Sequence, residues 1–414
     1  MANASSKSKG ASPAAVQLSL PGAPAKKSPP KISKLYWRAI QWLLVALGVQ
    51  TLTSLSPSSI ETFYSQGLYL FVPRGLSQVN RLVAFSMAEI LLGLLVTWFL
   101  LLGGWAILRG FLGKGGVFRS MQQLVLQLVW AASVLFILFK LAWGFNYQRQ
   151  PLMGTLAPVS RFPLTKDLEA IGVRLVNGIN ENHAALQTSP ASNPTLKPGE
   201  VAQILSQAVE ASFQVNKLIG PAALGNYPLP KPLASSTLMS VLGVRAFYFP
   251  FTGEVSYNPA VPVAELPFAI ARAKAYQRGY AREDEARFIA YLVCTTAPDP
   301  LVRYSGFLHT VEVLERLEAS KVGSFRPQLA AGPQADLKLL KDYWGATLHY
   351  YPSRMTEWMF NFHLRVNRDP RGIESLREDV PLIVAYSLSP LPALPSDAPP
   401  DEEMPPADAI SDAP

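Results

Sequence analysis

Acidic side chains gather in the segment Glu254–Leu292, which reads EVSYNPAVPVAELPFAIARAKAYQRGYAREDEARFIAYL. The pattern predicts a strand, a helix, a turn at Gly279, and a second helix that begins with acids. Grouped carboxylates can exchange protons or hold a hard metal ion through oxygen ligands. The candidates are Glu254, Glu265, Glu283, Asp284 and Glu285.

Soft metal ligands and nucleophiles are scarce along the chain. The four histidines are scattered and include no pair spaced one helical turn apart: His183, His309, His349 and His363. Cys294 is the sole cysteine, which excludes an intramolecular disulfide and a four-cysteine zinc site. No histidine or aspartate partner is evident near it in the sequence, so we expect a small core residue rather than a nucleophile.

A strand followed by a helix and an acid-rich second helix is the arrangement of zincin-type zinc peptidases. There, HExxH supplies two ligands and a general base, and a carboxylate of the next helix completes the site. The segment resembles an uncharacterised bacterial family of three-span membrane proteins with a zincin-like external domain. The matching stretches are PFTGE (250–254), ELPF (265–268), QRGYAREDEARFIAYL (277–292), RYSG (303–306), WGFNYQR (143–149) and, more faintly, 361–386.

The chain differs from that family at the residues that would bind the metal and activate water. Where the resemblance implies HExxH, this sequence has Arg272, Ala273, Lys274, Ala275 and Tyr276. Arginine cannot ligate zinc and alanine cannot accept a proton, so we expect no catalytic residue, no metal and no cofactor. Zinc is expected only in relatives that keep HExxH.

A charge replacement offers a physical account of this loss. We expect Arg272 to take the place of the metal's positive charge and to pair with Glu285 or Glu283. The resemblance favours Glu285 as the third-ligand position, and Tyr276 could hydrogen-bond the same carboxylate. In the alternative, Arg272, Lys274 and Arg278 form a solvated helix face over an open cleft.

Three apolar runs in the first third predict transmembrane helices, at about Leu35–Leu55, Leu82–Leu108 and Leu124–Phe145. The first is weakened by polar residues and could instead be interfacial. Glu89 lies in the second run, where reaching headgroups or water is the favoured role over an intramembrane function. Lysine and arginine are concentrated before the first run and between the second and third. This bias predicts a cytoplasmic N-terminus and an external main domain, and the resemblance implies that the membrane is a bacterial inner membrane.

Four regions follow from composition. Residues 1–34 form a basic tail, 35–148 the membrane region, 149–388 the external domain and 389–414 an acidic, Pro-rich tail; both tails are predicted to be disordered. The predicted fold class is mainly α, with a zincin-like α+β domain that contains a short hairpin at Val244–Tyr248 and Glu254–Tyr257. Helices are predicted at Thr165–Ala185, Glu200–Ile219, Glu265–Arg278, Glu283–Thr296, Leu301–Ala319, Gln334–Leu348, Met355–Arg365 and Ile373–Ser387, with 220–232 irregular.

Three functions remain open from the sequence. The favoured one is a non-catalytic relative of a membrane zinc peptidase that binds a peptide or envelope partner by strand addition at Phe251, Thr252, Gly253 and Glu254, or acts as a scaffold. A membrane-bound hydrolase with a rearranged metal site is the alternative, and a transporter component is the third. The lipid bilayer is an expected partner, and nucleic acid is not, because no extended basic patch with interleaved aromatics is present.

Overall fold

The structure is a computed structural model. It describes residues 32–52, 56–112, 116–152, 163–215, 225, 227–348, 358, 361–362, 365 and 379–388. The predicted acidic tail, nearly all of the basic tail and most of the helix predicted over Met355–Arg365 lie outside the described residues.

Helices dominate the described part of the chain, as predicted. They are α1 (Ile32–Leu52), α2 (Pro57–Ser59), α3 (Phe71–Arg81), α4 (Met87–Leu112), α5 (Gly116–Ala142), α6 (Thr165–Ala184), α7 (Pro198–Val215), α8 (Ser236–Val241), α9 (Leu266–Gln277), α10 (Glu283–Thr295), α11 (Pro300–His309), α12 (Val311–Ala319), α13 (Ala331–Leu348) and α14 (Asp379–Leu388). Three short strands accompany them: β1 (Lys231–Pro232), β2 (Ala246–Phe249) and β3 (Glu254–Tyr257).

Two helices are long and apolar enough to cross a membrane. These are α4, with 26 residues, and α5, with 27. Only 6% of the most apolar window of α4 and 17% of that of α5 is buried, whereas a core helix would be mostly covered. The apolar side chains of both helices therefore face outward, which indicates a membrane protein.

The third predicted span corresponds to α1, which packs along α5 beside α4. Arg38, Gln41 and Gln50 interrupt its apolar composition, and only α4 and α5 meet the criterion for a span among the described residues. A membrane-crossing role for α1 therefore stays a prediction.

The domain that follows α5 is built around the pair α9 and α10. All of α10 is buried, and α9 packs on β2, β3, α7 and α11. α7, α11 and α14 also pack on α10, and α6 packs on the outside of α11. The two helices that carry the informative sequence are thus the centre of the hydrophobic core.

The predicted hairpin is confirmed, and a third strand joins it. β2 and β3 pair antiparallel, with Ala246 opposite Tyr257 and Phe249 opposite Glu254. β1 pairs parallel with β3 on its other side, which gives the order β1-β3-β2. The sequence failed to predict β1 because a two-residue strand containing proline carries no alternating pattern.

One predicted helix, Leu301–Ala319, is divided at Thr310 into α11 and α12. The hydroxyl and amide of Thr310 both donate to the carbonyl of Phe307, at 2.6 and 2.8 Å, which closes the first helix. Asp299 caps the start of α11 by accepting from the amides of Leu301 and Val302. The N-cap residue of α6 is Leu164, and the side chain of Asp167 accepts a hydrogen bond from its amide.

Candidate functional site

The segment at which the resemblance implies HExxH, 272–276, contributes two residues to a three-residue charge cluster. Nη1 of Arg272 lies 2.8 Å from Oε1 of Glu283, and the hydroxyl of Tyr276 donates to Oε2 of the same carboxylate. Arg272 and Tyr276 are one helical turn apart on α9, so they face the first turn of α10 together. We call these three residues the cleft-side cluster.

Glu283, not Glu285, is the carboxylate that faces α9. Glu285 instead accepts from Nη2 of Arg282 at 2.5 Å and from the amide of Leu152 at 2.7 Å. Residues two apart on a helix point about 200° away from each other, so only one of the two can join Arg272. Of the two predicted partners of Arg272, Glu285 is therefore wrong and Glu283 is present, while the assignment of Glu285 to the third-ligand position stays a prediction. Burial raises the pKa of Glu285, and Arg282 and the Leu152 amide only partly oppose this.

The alternative of a solvated basic face on α9 is also wrong. Lys274 and Arg278 are fully buried on the opposite side of the helix, where both bind Glu210 of α7, at 2.5 and 2.7 Å. The Arg278 guanidinium also lies over the rings of Phe213 and Tyr227. We call Glu210, Lys274 and Arg278 the inner cluster.

Burial tends to raise the pKa of the Glu210 carboxyl, but the two cations beside it lower it on balance. Sequence reasoning missed Glu210. A signal was present, because the buried face of α7 repeats at three- and four-residue spacing and includes Glu210 among its apolar members.

Ala273 of α9 lies between the two clusters and is completely buried. Its methyl group can neither polarise nor deprotonate a water molecule. The described residues bring no three histidine, cysteine, aspartate or glutamate side chains together in a metal-binding group. The thiol of Cys294 is buried in the core, and burial raises its pKa, so it is poorly suited to nucleophilic attack. The donor set around Arg272 does not fit a zinc ion.

A cleft of about 430 Å³ opens beside Arg272, between α9, α11, α12 and α13. Its walls carry ordered ion pairs. Arg245 binds Glu265 through Nε at 3.1 Å and lies over the Trp344 ring, whose Nε1 donates to the same glutamate. Trp344 therefore holds one wall in place, with its ring face covered by Arg245.

His309 lies on the inside of this cleft, stacked on Phe268 with 3.6 Å between the ring centres. Burial, and then the charges of Arg287, Arg272 and Arg245, hold the pKa of His309 well below its usual range. Each of these guanidinium groups is paired with a carboxylate: Arg245 with Glu265, Arg272 with Glu283 and Arg287 with Glu312. The wall of the cleft therefore presents charges of both signs.

The predicted strand-edge site is closed. Thr252, Gly253 and Glu254 are buried, and β3 is the central strand. Gly253 adopts a φ of +67°, and a Cβ there would lie 2.8 Å from Cβ of Leu76 in α3. A peptide cannot add at this position, because α3 and the start of α4 cover it.

Glu254 instead caps the start of α4. Its carboxylate accepts from the Ser86 hydroxyl at 2.8 Å, from the Met87 amide at 3.2 Å and from the Ala88 amide. Lys231 of β1 lies 3.6 Å away. A carboxylate at a helix N-terminus satisfies amides that have no partner within the helix and complements the helix dipole. The PFTGE motif therefore joins the sheet to α4.

Glu89 makes a second connection between α4 and the domain that follows α5. Its carboxylate accepts from the amides of Ala234 and Ser235, both at 2.8 Å. The prediction that this acid would reach headgroups or water misses this role, because the loop after β1 approaches the first turn of α4.

The end of α9 is held by one side chain that precedes α3 and one that follows α5. The carbonyl of Tyr276 accepts from Nε1 of Trp143 at 2.8 Å, and that of Gln277 accepts from the Tyr69 hydroxyl at 3.0 Å. Gly279 follows with a φ of +86°, and a Cβ there would meet the Tyr69 ring. Both segments therefore reach the helix that carries the cleft-side cluster.

Comparison with known proteins gives one match. The model of a family described as a protein of unknown function (DUF3810) matches residues 64–384. No curated protein and no solved structure matches the chain. The matched range includes α3 to α13 and all residues of both clusters.

Proposed function

We propose that this chain, which belongs to the family of proteins of unknown function DUF3810, is a membrane-anchored binding protein with a non-catalytic, zincin-like domain. Its partner is a peptide segment of an envelope protein that carries carboxylate groups. The observation that supports the proposal is the cleft-side cluster, in which a guanidinium and a phenol bind the two oxygens of the carboxylate that a metal ion would need as a ligand.

The cluster explains how such a domain stays folded without a metal. Glu283 is 9% exposed, and a buried carboxylate without a cation is strongly unfavourable. Arg272 supplies the positive charge and Tyr276 a second hydrogen bond, so both oxygens of Glu283 are satisfied. No residue of the cluster is left to activate water.

The basic side chains of the cleft support a carboxylate-bearing partner. Arg245, Arg272 and Arg287 line the cleft, each beside a glutamate, and Lys341 on α13 adds a further positive charge. Planar guanidinium groups match carboxylate geometry.

The proposed setting is a bacterial inner membrane, with three spans, a cytoplasmic N-terminus and an external domain. α1 packing along α5 supports the third span. Lysine and arginine between α4 and α5, at Arg109, Lys114 and Arg119, support the orientation.

Metal analysis of the full chain in detergent tests the non-catalytic assignment. After growth with zinc and dialysis, we expect no bound zinc in the wild type. The double variant Arg272→His/Tyr276→His should bind about one zinc, because two histidines one turn apart and Glu283 form a three-ligand set. Ala273 is left unchanged because it is fully buried.

Two further variants sharpen this test. In the double-histidine background, Glu283→Gln should abolish zinc binding, whereas Glu285→Gln should leave it intact. Zinc in the wild type, or a folded double variant without zinc, would contradict the proposal, and the former would favour a metal-dependent hydrolase.

Peptide binding is tested with a fluorescent peptide of alternating glutamate and alanine, against its glutamine counterpart. We expect binding of the acidic peptide only, weakened about two- to fivefold by Lys341→Gln, since a charge at the edge of a site contributes modestly. Lys338→Gln is the matched control, because Lys338 is exposed on the same helix. Equal binding of both peptides would overturn the assigned partner class.

A further inference from the structure

We infer that α3 and the loop that follows it, up to Phe85, lie on the bilayer surface, with one apolar face in the headgroup region. α3 lies between the first two predicted spans. It is an 11-residue helix with strongly segregated polar and apolar sides.

Large apolar side chains are exposed along one side of this segment. Phe71 is 73% exposed, Val79 60%, and Leu82 in the loop 85%. The exposed positions 71, 75, 79 and 82 follow each other at three- or four-residue intervals, so they share one helical face. Such a contiguous apolar patch on a protein surface marks an interaction site.

The opposite face of α3 is occupied by the external domain. Pro73, Ser77 and Asn80 are buried there. Nζ of Lys231 donates to the carbonyl of Asn80 at 2.9 Å, and the Gly253 turn packs closely on Leu76. The helix is therefore anchored on its polar side and uncovered on its apolar side.

Continuity with α4 identifies what covers the apolar side. α3 ends at Arg81 and the span begins at Met87, while Glu254 and Glu89 fix the first turn of that span to the domain. A segment bound beside the first turn of a spanning helix lies at the level of the headgroups. Arg81, exposed beside this face, can reach lipid phosphates while its methylenes stay on apolar surface.

Spin labels on the full chain in lipid nanodiscs test the inference. The discs contain an equal mixture of phosphatidylcholine and phosphatidylglycerol. Single cysteines replace Val79 and Leu82, with Leu101 in α4 as the lipid-facing reference and Val173 in α6 as the aqueous reference; all four side chains are exposed. Cys294 is fully buried, and the unsubstituted chain gives the background labelling.

Collision rates with oxygen and with a water-soluble nickel chelate are then compared. We expect labels at 79 and 82 to favour oxygen, with values between those of the two references. Values equal to that at 173 would overturn the inference. Low collision rates with both reagents would also overturn it, because they would show that protein, such as a second copy, covers this face.

Discussion

The two faces of α9 carry similar clusters of charged side chains in different surroundings. In each cluster one carboxylate binds two donors that lie one helical turn apart on α9. Arg272 of the cleft-side cluster keeps 24% of its side chain exposed, whereas Lys274 and Arg278 of the inner cluster have no exposed side-chain surface. Burial thus separates a group that can meet a ligand from one that can only hold the fold.

The surroundings also set the energetics of each cluster. A buried ion pair adds little net stability, yet removing one partner is strongly destabilising, because a charge is left in a dry interior. A partly exposed pair is screened by water, and its loss is smaller. Each of the following predictions tests this difference between the faces.

The largest effect is expected for Glu210→Ala in the inner cluster. It leaves Lys274 and Arg278 buried without a counter-charge, which should lower the free energy of unfolding by about 3–5 kcal/mol. Thermal unfolding of the full chain in one detergent measures this. Glu169→Ala, at an exposed position on α6, is the control. A midpoint that matches the control would show that the inner cluster is not structural.

Glu254→Gln should have the second largest effect. A carboxylate with 2% side-chain exposure loses charged hydrogen bonds to the start of α4 and its contact with Lys231, at a cost of about 1–3 kcal/mol. The unfolding midpoint should fall relative to that of Glu181→Gln, an exposed glutamate of α6. No difference between the two would argue against the joint between sheet and span.

Arg272→Ala in the cleft-side cluster should lower stability by only about 1 kcal/mol, because water can reach the freed Glu283. The double variant Arg272→Ala/Glu283→Gln should lose less than the sum of its single changes, since the two side chains form one interaction. If Arg272→Ala proved as damaging as Glu210→Ala, the contrast between the faces would fail.

The last prediction concerns the pH dependence of the cleft. The pKa of His309 is lowered in the folded state, so its contribution to stability is present above about pH 6.5, the unfolded value, and is lost as the pH falls. Wild-type stability should therefore decrease between pH 7 and 5, by at most about 1.4 kcal/mol per pH unit for one proton. His309→Gln should flatten this slope, and His183→Gln, outside the cleft, should not.

Local patterns in the sequence predicted most helices and the hairpin, and charge chemistry predicted that Arg272 and Tyr276 would meet one carboxylate. The choice between Glu283 and Glu285 could not be made, because it depends on the rotation of α10 relative to α9. The inner cluster joins residues 64 and 68 positions apart, and no local pattern encodes such a pairing. Glu254 was assigned to an open edge because the sequence did not show that α3 and α4 would return to cover it.

Two glutamates join the start of α4 to the rest of the protein. Glu254 of β3 accepts from an amide in the first turn of α4, and Glu89 of that turn accepts from an amide in the loop after β1. This end of the helix therefore cannot reorient independently of the sheet. A spanning helix adjusts its tilt when the bilayer becomes thinner, so a change in the tilt of α4 would act on both attachments.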